Sequence, residues 1–178
     1  MEPSLFADRF LVDSLAGKGG MSEVYRARDQ VTDRWVALKI FHDKEERAAD
    51  RFAREVELLA LLKHPTIVEH VAHGFVDGRA YLAMEWLEGE DLCSRLSRGP
   101  LSVDEATEIG ERVAAALAVA HARGVIHRDV KPSNIFLVEG DIARAKLIDF
   151  GIARVRGGAQ FTRFGEALGT PAYMAPEQ

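Results

Sequence analysis

The sequence predicts an α+β fold, an antiparallel sheet with one packed helix followed by a mainly helical second half, and three observations carry that prediction. Residues 10–41 break into β-branched and aromatic runs around a glycine cluster. Phe52, Val56, Leu59 and Leu62 then recur at helical spacing. Beyond Glu85 the dominant period is helical, with Ser102 and Glu105 at capping-box spacing ahead of an apolar stripe, Ile109, Val113, Leu117 and Ala120. At 178 residues the chain can form one domain or two small lobes and can bury a core. Its 47% hydrophobic and 29% charged content is that of a globular protein, far from disorder or a collagen-like repeat.

Taken in order, strands are expected at 10–15, at Val24 to Arg28 and at Trp35 to Phe41, the last two joined by a polar turn over Asp29 to Arg34. These make a three-stranded meander. A helix over about Glu45 to Leu62 must stop before His64-Pro65, since the residue ahead of a proline is pushed out of helical backbone. Short strands near Ile67 to Val71 and Arg79 to Met84 bring the sheet to about five strands. Gly124 can end the helix that carries the Ile109 stripe. A strand at Ile135 to Val138, a turn at Glu139-Gly140-Asp141 and a strand at Ala145 to Ile148 follow, and the boundary between lobes is expected at Glu85 to Gly89.

Composition removes several classes of function. The apolar stretch Val113 to Ala120 is short and flanked by Glu111, Arg112 and His121, so no membrane segment is expected. Met1-Glu2-Pro3-Ser4 has no signal-peptide pattern, and the lone Cys93 can form no internal disulfide, which fits a cytoplasmic protein. A net charge of -5 with no basic stripe argues against nucleic acid. Dimerisation is compatible with the sequence, but no motif supports it.

Four groups of residues carry chemistry. His127-Arg128-Asp129-Val130-Lys131-Pro132-Ser133-Asn134 packs an acid, a base and an amide into one loop able to hold a hydroxyl, a phosphoryl group and a metal ion together. Gly17-Lys18-Gly19-Gly20-Met21-Ser22 lies between two expected strands, where glycines let backbone N–H groups approach phosphate oxygens. A tight hairpin would use the same residues. A dinucleotide fingerprint would open a helix instead, and a Walker loop would need Gly-Lys-Ser/Thr. Lys39, inside the apolar strand Val36-Ala37-Leu38-Lys39, must snorkel outward or find an anion. Glu55 on the next helix is the preferred partner, Glu57 standing on another face. Asp149-Phe150-Gly151 places a carboxylate at the end of a strand.

Together and in this order these residues resemble the protein kinases, most closely the bacterial Ser/Thr kinases of eukaryotic type, from about residue 8 to the last. The resemblance implies a protein kinase-like fold: a complete N-terminal antiparallel sheet lobe plus helix at about 8–85, a hinge at about 85–89, and an incomplete helical C-terminal lobe at about 90–178. It implies ATP and Mg²⁺ as cofactors and a protein substrate with a Ser/Thr acceptor, which Lys131 and Thr170 favour over tyrosine. In this likeness Lys39 holds the α- and β-phosphates with Glu55 as its partner, Asn134 and Asp149 ligate Mg²⁺, Asp129 accepts the hydroxyl proton, and Lys131 steadies the γ-phosphate. Ala16, where a larger aliphatic residue is usual, begins the phosphate-covering segment that runs through Gly17, Lys18, Gly19, Gly20, Met21 and Ser22. Val24, Ala37 and Phe136 would sandwich adenine. Met84 would lie behind it, with backbone groups of Glu85 and Leu87 reading its edge.

Arg128 would pair with a phosphate on the activation segment, with Thr162 as the candidate acceptor. Gly169 to Glu177 matches the A-P-E end of that segment, and the helices that follow it in a whole kinase lie outside residues 1–178. The helix at 103–123 is then expected to expose an apolar face, and this chain alone to be weak or inactive as a transferase. A noncatalytic ATP-binding or protein-interaction module with a partial kinase fold is the alternative. Intact Lys39, Asp129, Asn134 and Asp149 favour the enzyme.

Overall fold

The computed structural model describes residues 5–42, 49–150 and 171–173, which fall into two compact units. The first comprises Met1–Leu61 and Glu69–Leu87, the second Leu62–Val68 and Glu88–Gln178.

The first unit is a six-stranded antiparallel sheet with one helix. Strands β1 (Leu5–Phe6), β2 (Phe10–Lys18), β3 (Ser22–Asp29) and β4 (Arg34–Phe41) precede helix α1 (Ala49–Ala60), and β5 (His70–Val76) and β6 (Arg79–Glu85) follow it. The strand order is β1-β2-β3-β4-β6-β5. Residues directly opposed across a ladder share a face, so the register sorts this sheet in two. On one face Tyr25 opposes Leu38 and Ala27 opposes Val36. That face carries the core of Phe10, Ala27, Val36, Leu38, Ile40 and Ala83. The other face carries Val24 opposite Lys39, Arg26 opposite Ala37, and Ala37 opposite Met84. Helix α1 buries Phe52 and Val56. The Phe52 ring meets Phe41 and Phe75 edge-on at 5.6 and 5.4 Å.

The turn after β3 is built on a buried charge. Asp29 is fully buried and takes a two-pronged contact from Arg9, Nε to Oδ1 at 2.7 Å and a terminal nitrogen to Oδ2 at 2.8 Å. The Thr32 hydroxyl and the Val31 N–H complete its acceptor set. The Arg9 hydrogen bond, ahead of the opposing cost of burial, holds this carboxyl well below the usual aspartate range.

One strand departs from its expected position. The strand anticipated at Ile67 to Val71 runs instead over His70–Val76. Ile67 bridges Leu147 in parallel, the Val68 N–H donates to the Leu147 carbonyl at 3.0 Å, and the Leu147 N–H donates to the Thr66 carbonyl at 2.7 Å. The β-branched residues that suggested a strand are therefore used by the second unit. Within β5, His70 Nε2 and His73 Nδ1 share a hydrogen bond at 3.1 Å, and burial depresses the His70 pKa to about 4.

The second unit holds a three-stranded sheet, β7 (Gly89–Asp91), β8 (Ile135–Val138) and β9 (Ala145–Leu147), with helices α2 (Leu92–Leu96) and α3 (Val103–His121). Neither β7 nor α2 was expected, because Gly89-Glu90-Asp91 has no strand propensity of its own. Pairing with β8 makes it a strand. Gly89 is required there: its φ is +139°, and a Cβ would stand 2.1 Å from the Leu137 carbonyl oxygen. Helix α3 has both halves of its capping box, Glu105 N–H to the Ser102 hydroxyl at 3.2 Å and Ser102 N–H to the Glu105 carboxylate at 2.7 Å. Its buried stripe is Ile109, Val113, Ala116 and Ala120, with Leu117 only half-buried. Gly124, at φ 72°, follows its end.

Asp29→Ala should leave the Arg9 guanidinium and the turn N–H without their acceptor and destabilise the chain by about 2–3 kcal/mol in denaturant unfolding. Because the folded carboxyl titrates below the unfolded one, its contribution is present above about pH 4 and is lost as pH falls further. The same unfolding series in Asp29→Asn should show a shallower acid limb.

Candidate active site

The His127 to Asn134 loop is fixed by a buried imidazole. His127 is 1% exposed and packs on Phe150 with ring centroids 4.5 Å apart. Its Nε2 lies 3.0 Å from the Ile148 carbonyl oxygen, and its Nδ1 is 3.3 Å from the Asp129 N–H. A carbonyl only accepts and an N–H only donates, so the ring is the neutral tautomer with its proton on Nε2. Burial lowers its pKa and reinforces that neutral state. Arg128, between the two, is exposed and adopts a left-handed φ of 62°, which turns the chain so that Asp129 can bond back to the ring.

The Asp129 carboxylate is then oriented by two donors on one oxygen. Oδ2 lies 2.9 Å from Lys131 Nζ and 2.9 Å from Asn134 Nδ2, and the same amide nitrogen donates to the Asp129 carbonyl at 2.7 Å. Pro132–Asn134 form a 3₁₀ turn, in which the proline supplies a helical φ without needing a hydrogen-bonded N–H. Asn134 is 6% exposed, with its nitrogen committed to Asp129, so its oxygen is the end left for a cation. The Ile148 N–H donates to the Asn134 carbonyl at 3.0 Å, which sets Asp149 one residue beyond a direct partner of Asn134. Asp149 also has a left-handed φ, 56°. An amide oxygen and a carboxylate are hard donors that suit Mg²⁺, which takes few protein ligands and completes its shell with phosphate and water. Phe136, half-buried on β8, faces Asp91 and Lys146 across the two ladders.

The remaining candidates stand on the first unit. Val24, Ala37, Lys39 and Met84 share one face of its sheet by register. Lys39 Nζ is 5.8 Å from the Phe41 ring centroid. On α1, Glu55 is half-buried three residues after Phe52, whereas Glu57 is exposed. Ala16 and Gly17 lie in β2, and the Gly19 N–H closes the turn onto the Ser22 carbonyl at 2.9 Å. Lys18 Nζ pairs with Glu23 at 2.9 Å, while the His42 N–H donates to the Met21 carbonyl at 3.0 Å and its Nδ1 lies 3.3 Å from the Gly20 carbonyl. The glycines are not demanded by the fold. None of the three has a left-handed φ; a Cβ at Gly17 or Gly20 would meet nothing within 4 Å, and one at Gly19 only the Ser22 oxygen at 3.6 Å. Glycines that the fold does not need keep Cβ atoms out of the way at those three positions.

Glu85 and Leu87 flank Trp86, whose N–H is taken by the Trp35 carbonyl at 3.4 Å. Thr162, Thr170 and the A-P-E residues lie outside the described residues. In the sequence His127 stands out only as the first residue of the loop, and nothing there points to Ile148 as the acceptor for that ring. The His127 loop, Asn134 and Asp149, two residues past the end of β9, are thus brought together within the second unit.

The chain belongs to the protein kinase family: the protein kinase domain model matches residues 10–178. It is 40% identical over 177 residues to serine/threonine-protein kinase pkn2 of Myxococcus xanthus, covering 96% of this chain and 21% of that protein. It is 43% identical over 168 residues to serine/threonine-protein kinase PknH of Mycobacterium tuberculosis, covering 92% of this chain and 26% of that one. The chain thus spans only about a fifth to a quarter of these curated relatives. Among solved structures, the M. tuberculosis PknI kinase domain superposes with a TM-score of 0.73 at 34% identity, covering 85% of this chain and 63% of that one. Rad53 residues 1–466 in complex with AMP-PNP superpose at 0.72 and 32% identity, covering 81% and 38%. Use of ATP and a divalent metal is general to this family. Among the described residues no helix is long and apolar enough to cross a membrane.

His127→Phe should keep the packing on Phe150 but leave the Ile148 carbonyl and the Asp129 N–H unpaired, costing about 3 kcal/mol by chemical denaturation. The unfolded imidazole protonates near pH 6.5 and the folded one lower, so wild-type stability falls as pH drops through that range. The Phe variant should show a smaller fall between about pH 7 and 5.

Proposed function

We propose that this chain is the nucleotide-binding and catalytic-loop part of a serine/threonine protein kinase that transfers the γ-phosphoryl group of ATP to a protein hydroxyl. The observation that carries the reading is the Asp129 carboxylate, oriented by Lys131 and Asn134 with Asp149 adjoining. Asp129 accepts the proton of the Ser or Thr hydroxyl as its oxygen bonds to phosphorus and the bond to the ADP oxygen breaks. Lys131, 2.9 Å from that carboxylate, neutralises charge on the transferring group. Asn134 and Asp149 hold Mg²⁺, which when bound offsets phosphate charge.

On the first unit, Lys39 with Glu55 takes the α- and β-phosphates, and the glycine-containing backbone from Ala16 to Ser22 covers them. Val24, Ala37 and Met84, with the backbone of Glu85 and Leu87, receive adenine, and Phe136 is the further apolar candidate for the ring. The AMP-PNP bound by Rad53 supports this choice of nucleotide. Arg128, exposed beside Asp129, receives a phosphate carried by Thr162. The lone Cys93 fits work in the cytoplasm.

Transfer of radiolabelled phosphate from ATP to a protein substrate, beside calorimetry with Mg·ATP, tests the reading. Asp129→Asn should lower transfer by about a thousandfold and change Mg·ATP affinity by less than about threefold. Equal and measurable transfer by both forms would sink the assignment.

A further inference from the structure

The chain has two tryptophans, and both stand against one arginine. Arg26 Cζ is 4.1 Å from the Trp35 ring centroid and 5.5 Å from that of Trp86, within cation–π reach of both. Arg28 reaches Trp35 from its other neighbour position at 5.3 Å. Arg26 Nε is buried without a hydrogen-bond partner, so at that atom the aromatic faces stand in for an acceptor. The cluster also has a backbone clasp, the Trp86 N–H to the Trp35 carbonyl.

Its place gives it a task. Arg26, Ala37 and Met84 form one continuous cross-strand row, so Arg26 projects from the face that holds the proposed adenine surface, directly beside Ala37. Trp86 lies between Glu85 and Leu87, the residues whose backbone is proposed to read the base. With its N–H spent on Trp35, Trp86 contributes its ring to the cluster and leaves base recognition to its neighbours.

We infer that Arg26 is a positioning residue for nucleotide recognition: by stacking on Trp35 and Trp86 it clamps the Glu85 to Leu87 segment to the sheet and fixes the backbone groups that read adenine. This rests on the ATP-binding reading above. It also makes intrinsic fluorescence a reporter of that segment, since no other tryptophan contributes.

Calorimetry of the whole chain with Mg·ATP and with Mg·tripolyphosphate, alongside tryptophan emission, tests the assignment. Arg26→Leu should weaken Mg·ATP about fivefold, leave Mg·tripolyphosphate within about twofold, and shift emission as Trp86 loses its cation and Trp35 the nearer of its two; Arg26→Lys should recover most of the affinity. Equal ATP affinity in wild type and Arg26→Leu overturns the inference, as does a parallel loss for both ligands, which would mark a merely structural role. If Arg26→Leu does not fold, Trp86→Ala and Trp86→Phe decide: a loss selective for ATP in the first and absent in the second supports the clamp, and any other pattern overturns it. A wild-type chain that binds tripolyphosphate but not ATP refutes the base-recognition reading itself, a result distinct from equal binding by wild type and variant.

Discussion

A buried imidazole that donates from one nitrogen and accepts at the other sets the geometry of the second unit's chemistry. His127 ties the Ile148 carbonyl, at the end of β9, to the Asp129 N–H, at the start of the loop. Asp129 is thereby fixed through its own N–H, and Asp149 stands one residue beyond the carbonyl that the ring holds. Only the neutral tautomer can do this, because a charged ring has no lone pair for the Asp129 N–H. Burial is what keeps it neutral. Asn134 repeats the device with an amide, bonding Asp129 through its side chain and Ile148 through its backbone. The loop is thus held from inside by a neutral ring and a neutral amide.

The first unit solves a different problem with strand alternation. One face of its sheet is closed by Phe10, Leu38 and Ile40, and the other displays Val24, Ala37 and Lys39. A lysine could not sit in the closed face without an anion. Placed one residue from Leu38 and Ile40, it gains rigid support from a packed strand, and its ammonium lies 5.8 Å from the ring centroid of Phe41 on the same face. Rigid placement is what phosphoryl transfer asks of a protein, since positioning and charge rather than covalent participation lower its barrier.

The family was legible in the sequence because the His127 to Asn134 loop fixes both residue type and spacing, and tertiary context cannot replace either. The meander and α3 were legible for a similar reason: period and capping box are local signals, and both halves of the box form. What failed were elements whose identity is conferred from afar. Ile67 and Val68 have strand propensity but spend it on Leu147. Gly89-Glu90-Asp91 has none, yet is a strand because β8 lies beside it. Arg26 read as an ordinary polar position of a strand, because the two indoles that give it a role are nine and sixty residues away along the chain.

The short piece Leu62–Val68 leaves the first unit, joins the second, and returns the chain to β5. Its partner Leu147 is eighty residues downstream, so on a ribosome the first unit's sheet can pair completely while Thr66, Ile67 and Val68 still wait for theirs. Closing so long a loop is entropically slow, and until β9 emerges this apolar stretch is an unpaired edge. Nor can one cut separate the units cleanly: division after Leu87 would strand the parallel bridge and take from β9 the two backbone bonds that hold Leu147.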